Sequence, residues 1–198
     1  MADSDVQSVA TSGGVDLVKV TVSGHPGSGT STLVKQLCRN NEWTYLNGGD
    51  VFRTVAKERG ISLEEFSITC ENEPEVDRTL DSKLISSMTN PSGPEIVESR
   101  LSGWWAFREE IPCLRVWLEV SVDERAKRVV NREGGSLKDA TTRILDRMVS
   151  DQIRYDRLYQ IDLGDMTPYN CIIESDNLSP DEITLIVTKQ LLSLEGNE

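Results

Sequence analysis

The stretch GHPGSGTS, residues 24–31, decides the fold of this chain because of what lies on either side of it. A short β-rich run precedes it, and an amphipathic helix is predicted directly after it. The stretch fits the phosphate-binding pattern G-x-x-x-x-G-K-[ST] at Gly24, Gly29 and Ser31, while Thr30 takes the place of the lysine. A strand, a glycine-rich loop and a helix in this order predict an α/β domain with a phosphate site.

The residue types in this loop suit phosphate binding. Gly27 and Gly29 allow backbone N–H groups to turn toward phosphate oxygens, and the start of the next helix adds about half a positive charge. The hydroxyl of Ser31 is suited to Mg²⁺. The alternative is a glycine-rich turn without a ligand. The residues predicted to bind the nucleotide phosphates are Gly24, His25, Pro26, Gly27, Ser28, Gly29, Thr30, Ser31 and Thr32.

Two residues of the loop set limits on the chemistry. Thr30 lacks the point charge that a lysine would place at the β- and γ-phosphates, so other cations must neutralise the transferring group. His25 is the only histidine of the chain, but it lies on the shoulder of the loop. We interpret it as a spacer rather than as a catalytic base.

The charge distribution indicates a basic cleft on an acidic protein. The chain has 198 residues and a net charge of −12, which argues against non-specific binding of nucleic acid or of an anionic membrane. Residues 100–157, however, hold 12 Lys and Arg against 10 Asp and Glu. Arginine matches the geometry of phosphate, although a solvated helical surface would give the same composition.

The remaining composition describes an ordinary soluble domain. The four cysteines are widely spaced and the chain has one histidine, so a zinc site is not expected and the thiols are predicted to be reduced. No apolar run approaches the ~20 residues of a membrane span, and no signal region begins the chain. We expect a disordered leader at residues 1–16, a single domain at residues 17–198, a cytoplasmic location and a monomer.

Strands and helices alternate along the chain. Strands are predicted at residues 17–23, 43–46, 95–98, 114–120 and 170–174, and helices at residues 30–39, 51–56 and 136–160. Ser or Thr followed three residues later by Glu marks helix starts at Ser62, Ser121 and Ser179. This alternation predicts a mostly parallel central sheet flanked by helices on both faces.

Four stretches together resemble the archaeal-type cytidylate kinases, a branch of the nucleoside monophosphate kinases. They are GHPGSGTST at 24–32, NGGDVFR at 47–53, VESRLSGWW at 97–105 and RYDRLYQIDLGDMTPYN at 154–170. The resemblance covers residues 18–187. It implies a P-loop kinase fold with a helical monophosphate-binding segment at residues 47–90 and an arginine-rich lid at residues 133–160.

The resemblance also implies roles for individual residues. Asp50 is implied to lie near the acceptor nucleotide, and Arg53 and Arg100 to bind its phosphate. Glu98 is implied to orient a Mg²⁺-bound water, which makes Ser31 and Glu98 the metal residues. Gly103 and Trp104 are implied at the acceptor side. Two adjacent tryptophans on a helix cannot face the same way, so we expect one of Trp104 and Trp105 to be buried and the other to lie near the acceptor site.

The arginines of the lid complete the predicted catalytic set. Arg147, Asp151 and Arg154 match an Arg-x-x-x-Asp-x-x-Arg pattern of cytidylate kinases, and offsets of four and seven place them on one helical face. The family normally has an acid directly after the first arginine, where this chain has Met148. An exposed ladder of ion pairs is the alternative. Arg128 or Arg132 is expected to bind the donor phosphates. Both residues precede a glycine pair at 134–135, which indicates a hinge for the lid.

The function expected from these features is the Mg²⁺-dependent transfer of a phosphoryl group from ATP to CMP, which gives ADP and CDP, with dCMP as a further acceptor. The acceptor oxygen is already anionic, so in-line attack needs positioning and charge neutralisation rather than a general base. Two alternatives remain open at this point. One is a kinase of the same fold acting on AMP, UMP or another phosphoryl acceptor, and the other is a nucleotide-binding regulatory protein without turnover.

Overall fold

A five-stranded parallel sheet forms the centre of the protein, and from edge to edge its strands are residues 45–47, 96–98, 20–24, 114–119 and 171–174. The structure is a computed structural model that describes residues 17–62, 65–66, 69–70 and 73–196, so the predicted leader at residues 1–16 lies outside the described residues. The elements are β1 (Val20–Gly24), α1 (Thr30–Asn41), β2 (Tyr45–Asn47), α2 (Gly48–Glu58), α3 (Pro74–Met88), β3 (Ile96–Glu98), α4 (Ser102–Arg108), β4 (Leu114–Glu119), α5 (Val122–Glu133), α6 (Leu137–Tyr159), β5 (Cys171–Glu174) and α7 (Pro180–Glu195).

The predicted α/β architecture is confirmed, with all four strand pairings parallel. Gly24, the last residue of β1, pairs with Leu118 near the end of the neighbouring strand β4. The glycine-rich loop, which follows Gly24, therefore leaves the sheet at its carboxyl edge. In open parallel sheets, ligands bind in the crevice at this edge. The topology therefore places the loop where a ligand site is expected.

Local sequence signals explain where the helices begin. The side chains of Ser121 and Ser179 cap α5 and α7, as predicted, by accepting hydrogen bonds from the backbone N–H groups three residues later. Ser62 and Glu65 also exchange the two bonds of a capping box. These bonds satisfy N–H groups that the first helical turn leaves without a partner.

Apolar residues cover the sheet on both faces. On one face, α1 and α7 pack on the sheet through residues such as Leu37 and Val187, both fully buried. On the other face, α4 packs against the sheet in an apolar cluster that includes Trp117 of β4 and Ile161, which follows α6. Among the described residues, no helix combines the length and the apolar character that crossing a bilayer requires.

Two smaller apolar clusters lie away from the sheet, and each supports a predicted functional segment. One joins α2 and α3 around Ala56, Phe66 and Leu80 in the segment predicted to bind the monophosphate. The other joins α5 and α6 around Val129 and Ile144 in the region of the predicted lid. Each segment thus has its own packing contacts.

Candidate active site

A cleft of about 1020 Å³ lies at the carboxyl edge of the sheet. The glycine-rich loop lines it together with α2, α3, the residues after β3 and the two helices α5 and α6. The cleft therefore brings together segments that are far apart in the sequence. Most of the predicted site residues line it: Gly24, His25, Pro26, Gly27, Gly29, Thr30, Ser31, Thr32, Arg53, Glu98, Arg100, Arg132, Arg147, Asp151 and Arg154.

The backbone of the loop depends on its glycines. Gly27 and Gly29 have φ angles of 87° and 94°, in the left-handed region that other residues rarely adopt. A Cβ atom on Gly27 would lie 3.1 Å from the carbonyl oxygen of Arg125, so α5 also packs closely against the loop. Ser28 is buried beneath the loop and does not line the cleft, although the sequence placed it among the phosphate-binding residues.

Two carboxyl-edge side chains fit a metal site. The Ser31 hydroxyl donates to Glu98 Oε1 at 2.8 Å, and the Asn47 amide donates to Glu98 Oε2 at 2.6 Å. Within the described residues, no group of three or more His, Cys, Asp or Glu is arranged to hold a metal ion. An oxygen-only pair on the cleft wall fits Mg²⁺, which keeps several waters and relies on substrate phosphates for further ligands.

Arg100 joins the loop to the lid region. Its Nε donates to Asp151 Oδ2 at 3.0 Å, and its Nη1 donates to the carbonyl oxygen of Gly24. Both side chains of the ion pair are mostly buried, so solvent screens the interaction little. Arg100 thus contacts the helix that carries the Arg-x-x-x-Asp-x-x-Arg residues, a contact that the sequence patterns do not predict.

Arg154 lies between two carboxylates and a phenol. Its Nη2 donates to Tyr155 Oη at 2.7 Å and to Asp151 Oδ1 at 3.4 Å, while its Nε lies 3.6 Å from Asp77 Oδ2. Burial lowers the pKa of Arg154, but the neighbouring Tyr155, Asp77 and Asp151 outweigh it and raise the pKa above its ordinary value. The guanidinium is thus held charged at one wall of the cleft.

The two arginines considered for the donor phosphates differ in their surroundings. Arg132 lines the cleft, and its guanidinium forms an ion pair with Glu133. Arg128 lies beneath the loop, where it donates to the carbonyl oxygens of Ser28 and Ser175 at 3.0 and 2.6 Å. Arg128 therefore supports the loop from outside the cleft, and Arg132 is the one of the two that lines the cleft.

Met148 occupies the position at which the resembled family has an acid. Its sulfur lies 3.3 Å from both Nη atoms of Arg125, whose side chain is fully buried. Arg125 also donates to the carbonyl oxygens of Val120 and Pro26. Burial is the main cause that lowers the pKa of Arg125. A buried cation that supports the loop thus faces a weak thioether acceptor.

His25 fits its interpretation as a spacer. Its ring meets the ring of Trp117 edge to face, with the centroids 5.1 Å apart. Burial, with smaller contributions from Arg100 and Arg125, lowers the pKa of His25 to about 4. The ring is therefore neutral at physiological pH, packed against the core at the edge of the cleft.

Three residues predicted at the acceptor side do not line the cleft. Asp50 does not line the cleft, and its exposed carboxylate pairs with Arg53. Gly103 packs so closely on the ring of Tyr169 that a Cβ atom would lie 2.3 Å from it. Trp104 is 9% exposed within the core. Gly103 and Trp104 are buried because α4 packs between the sheet and α3, and neither lines the cleft.

The pair of adjacent tryptophans also differs from the expectation. Trp104 and Trp105 are both buried, and neither lines the cleft. Trp105 donates from Nε1 to Asp81 Oδ1 at 3.2 Å, and the ring of Tyr159 packs edge to face on it. Because α4 lies between the sheet and α3, both of its sides are buried. The expected arrangement, with one tryptophan in the core and the other near the cleft, is therefore not observed.

Sequence reasoning missed several cleft residues. Asp77 and Asp81 line the cleft from α3, and Arg143 lines it from α6. The signal for the two aspartates was available: they lie four residues apart, interleaved with apolar Leu80 and Leu84, so they share the buried face of the helix. Acidic residues on a buried face indicate a functional or paired role.

A family model described as the cytidylate kinase-like family matches residues 19–177 of this chain. A cytidylate kinase from Pyrococcus horikoshii is 38% identical over 172 residues, which cover 87% of either chain. A cytidylate kinase from Methanospirillum hungatei is 31% identical over 182 residues, 91% of this chain and the whole of the other. The similarity therefore spans the loop, the cleft and both helical segments.

Solved structures of low sequence identity share the fold. A gluconokinase from Sinorhizobium meliloti superposes with a TM-score of 0.59 at 16% identity, covering 91% of this chain and 94% of that one. This likeness concerns the fold alone, and it agrees with the predicted α/β arrangement.

Proposed function

The chain belongs to the cytidylate kinase-like family, and from that premise we propose that it transfers the γ-phosphate of ATP to CMP, and to dCMP as a second acceptor. As a nucleoside monophosphate kinase it needs a donor site and an acceptor site that face each other. The observation that carries the proposal is one cleft lined by the glycine-rich loop, the Ser31–Glu98 pair and the arginines 100, 132 and 147.

The donor half of the site is assigned to the loop. Backbone N–H groups from Gly27 to Ser31 and the start of α1 would hold the β- and γ-phosphates of ATP. Ser31 and Glu98 would hold Mg²⁺ through the hydroxyl and through a bound water, and the ion, when bound, neutralises charge on the phosphates. Arg132 would take over part of the charge that a loop lysine supplies in other P-loop proteins.

The acceptor half is assigned to α2, α3 and the residues after β3. Arg53 and Arg100 would bind the CMP phosphate, since both line the cleft. Asp151 fixes the orientation of Arg100. Arg147 lies one turn earlier on α6, so it would reach the transferring phosphoryl group between donor and acceptor.

The reaction then follows from placement and charge. An anionic oxygen of the CMP phosphate attacks the γ-phosphorus in line, the bond to the β,γ-bridging oxygen breaks, and ADP leaves. No general base is required because the attacking oxygen carries no proton to remove. The glycine pair Gly134–Gly135, with φ angles of 77° and 91°, joins α5 to α6 and would serve as the hinge on which the lid closes over the phosphates.

An assay of ADP release with Mg·ATP and a panel of CMP, dCMP, UMP, AMP, GMP and no acceptor tests the proposal. We expect turnover that depends on CMP, with little on AMP or GMP. Turnover on a different monophosphate would keep the reaction and overturn the acceptor. Binding of ATP without turnover on any acceptor would favour the regulatory nucleotide-binding protein instead.

A further inference from the structure

The side chain of Asn47 joins the two halves of the cleft. Asn47 is the last residue of β2, and the register of the parallel strands pairs it with Glu98 at the end of β3. Its Nδ2 donates to Glu98 Oε2 at 2.6 Å, and its Oδ1 accepts from the backbone N–H of Asp50 at 3.0 Å. The first contact reaches a residue assigned to the metal, and the second caps α2, the helix that carries Arg53.

The two contacts need the two different ends of an amide. A carboxylate only accepts and a backbone N–H only donates, so the NH₂ group must face Glu98 and the oxygen must face α2. Among the residues favoured at N-cap positions, asparagine alone has an acceptor and a donor on separate atoms. Aspartate would keep the cap without a donor for Glu98. Serine would also keep the cap, but its hydroxyl ends one bond earlier and would leave Glu98 without this donor.

Close backbone packing holds the same two elements together. A Cβ atom on Gly48 would lie 2.9 Å from the Cβ of Ser99, so the start of α2 lies directly against the residue after Glu98. Glu98 is buried, and its Oε1 accepts from the Ser31 hydroxyl of the phosphate loop. A continuous set of hydrogen bonds therefore leads from the loop through Glu98 and Asn47 to the first turn of α2.

We propose that Asn47 is a positioning residue that couples the metal half of the site to the acceptor half. This inference rests on the proposed function and adds the residue through which Mg²⁺ and the CMP phosphate affect each other's binding. When the Glu98 carboxylate is held in place on the metal side, its bond with Asn47 restrains the first turn of α2. That turn leads to Arg53, which is thereby oriented for the phosphate. Because such coupling is reciprocal, CMP should also tighten the binding of Mg²⁺.

The first test measures the affinity for CMP by calorimetry in the presence of the β,γ-imido analogue of ATP, once with Mg²⁺ and once with EDTA. The ratio of the two dissociation constants reports the effect of the metal on acceptor binding. We expect Mg²⁺ to tighten CMP about fivefold or more in the wild type, within the usual range of coupling between sites. In Asn47→Ser this ratio should fall at least threefold, while the affinity in EDTA stays within twofold of the wild type.

Asn41→Ser is the matched control for this substitution. Asn41 is exposed at the end of α1, where its amide donates to the carbonyl oxygen of Leu37, and it does not line the cleft. The control should therefore keep the wild-type ratio. Circular dichroism and binding of the ATP analogue check that both variants fold.

A second variant tests the contact with Glu98 without any acceptor present. Asn47→Asp keeps a capping oxygen, which the start of a helix favours, but it turns a second carboxylate toward Glu98. Without metal the two like charges would oppose each other, and bound Mg²⁺ would relieve this repulsion. In the presence of the ATP analogue, addition of Mg²⁺ should therefore raise the thermal midpoint by about 3 °C or more beyond its rise in the wild type.

The outcomes separate the inference from the proposed function. An unchanged effect of Mg²⁺ on CMP affinity in folded Asn47→Ser would overturn the inference, as would equal midpoint shifts in Asn47→Asp and the wild type. A lower midpoint for Asn47→Ser with an unchanged ratio would assign Asn47 to helix capping alone and would overturn it too. So would a wild type that binds CMP equally well with Mg²⁺ and with EDTA. A wild type that binds no CMP under either condition would instead overturn the proposed function.

Discussion

Arg100 Nε lies 3.0 Å from Asp151 Oδ2, and this ion pair joins the residues after β3 to the middle of α6. The same guanidinium donates to the carbonyl oxygen of Gly24 at the end of β1. One side chain thus connects the start of the phosphate loop with the helix that carries the lid arginines. The contact therefore ties α6, the helix that also carries Arg147, to the end of β1.

Arg147→Ala should lower turnover far more than it lowers stability. Its side chain is exposed and lines the cleft, so few packing contacts are lost. Arginines that neutralise a transferring phosphoryl group contribute on the order of 10³-fold or more to turnover. The measurement is kcat with Mg·ATP and CMP, alongside the thermal midpoint. Lys138→Ala on the same helix is the control and should leave both unchanged. Wild-type-like turnover in Arg147→Ala would remove this residue from the mechanism.

Glu98→Gln should weaken the dependence on Mg²⁺. The glutamine amide has only one oxygen, so it can accept from the Ser31 hydroxyl or from the Asn47 amide but not from both, and it carries no negative charge. Loss of a group that orients a metal ligand typically costs about 10- to 100-fold in metal affinity or activity. Titration of turnover against Mg²⁺ measures the effect. Glu95 does not line the cleft, and its carboxylate accepts from the backbone N–H of Thr44, so Glu95→Gln provides the control. An identical Mg²⁺ titration for Glu98→Gln and wild type would contradict the assigned metal role.

The order of elements and the loop could be predicted from the sequence because they depend on local signals. Period-two and period-3.6 patterns, serine caps and glycine spacing each act within a few residues. The predicted strand at 95–98, for example, is observed as β3 at Ile96–Glu98. The loop pattern indicates Ser31 and the resemblance implies Glu98, but neither predicts their contact; it arises because carboxyl ends of neighbouring parallel strands meet at one edge of the sheet.

The parts that could not be predicted depend on packing between distant elements. Whether Arg128 or Arg132 faces the cleft is decided by the rotation of α5 against the loop, which no local pattern encodes. Trp104 is buried because α4 lies between the sheet and α3. The contact between Met148 and Arg125 joins residues 23 positions apart on two helices. Such tertiary contacts between distant residues cannot be predicted from local patterns in a single sequence.

Met148→Glu should stabilise the protein. Both Nη atoms of the buried Arg125 lie 3.3 Å from the thioether, and a carboxylate of similar length would meet them with two charge-assisted hydrogen bonds. An already buried cation gains more from a partner than a solvated one, and we expect a gain of about 1–2 kcal/mol, or a few degrees in Tm. Thermal unfolding at pH 7 measures it. Met148→Gln supplies a neutral acceptor of equal size and should gain less. A Tm for Met148→Glu at or below that of Met148→Gln would show that Arg125 needs no anion.

His25 should make the folded protein lose stability as the pH falls from about 6.5 to 4. Burial, the largest cause, and the charge of Arg100 lower the pKa of His25 to about 4 in the folded state, against an ordinary 6.5 when unfolded. Between these values the unfolded chain binds more protons, so stability rises with pH and is complete above about 6.5. Since one pKa unit corresponds to ~1.4 kcal/mol, this contribution to the free energy of unfolding is at most about 3.5 kcal/mol.

Because His25 is the only histidine, its ring gives a single set of imidazole NMR signals, and the titration of these signals should have its midpoint near pH 4. His25→Gln removes this titration while keeping a polar side chain beside Trp117. Chemical unfolding of wild type and His25→Gln across pH 4 to 7 should therefore show a steeper rise of stability with pH in the wild type. Asp81, whose pKa burial raises to about 6, acts in the opposite direction, but it is present in both proteins and cancels in the comparison. An imidazole midpoint near 6.5 would mean that the ring is solvated and does not pack against Trp117 at the base of the loop.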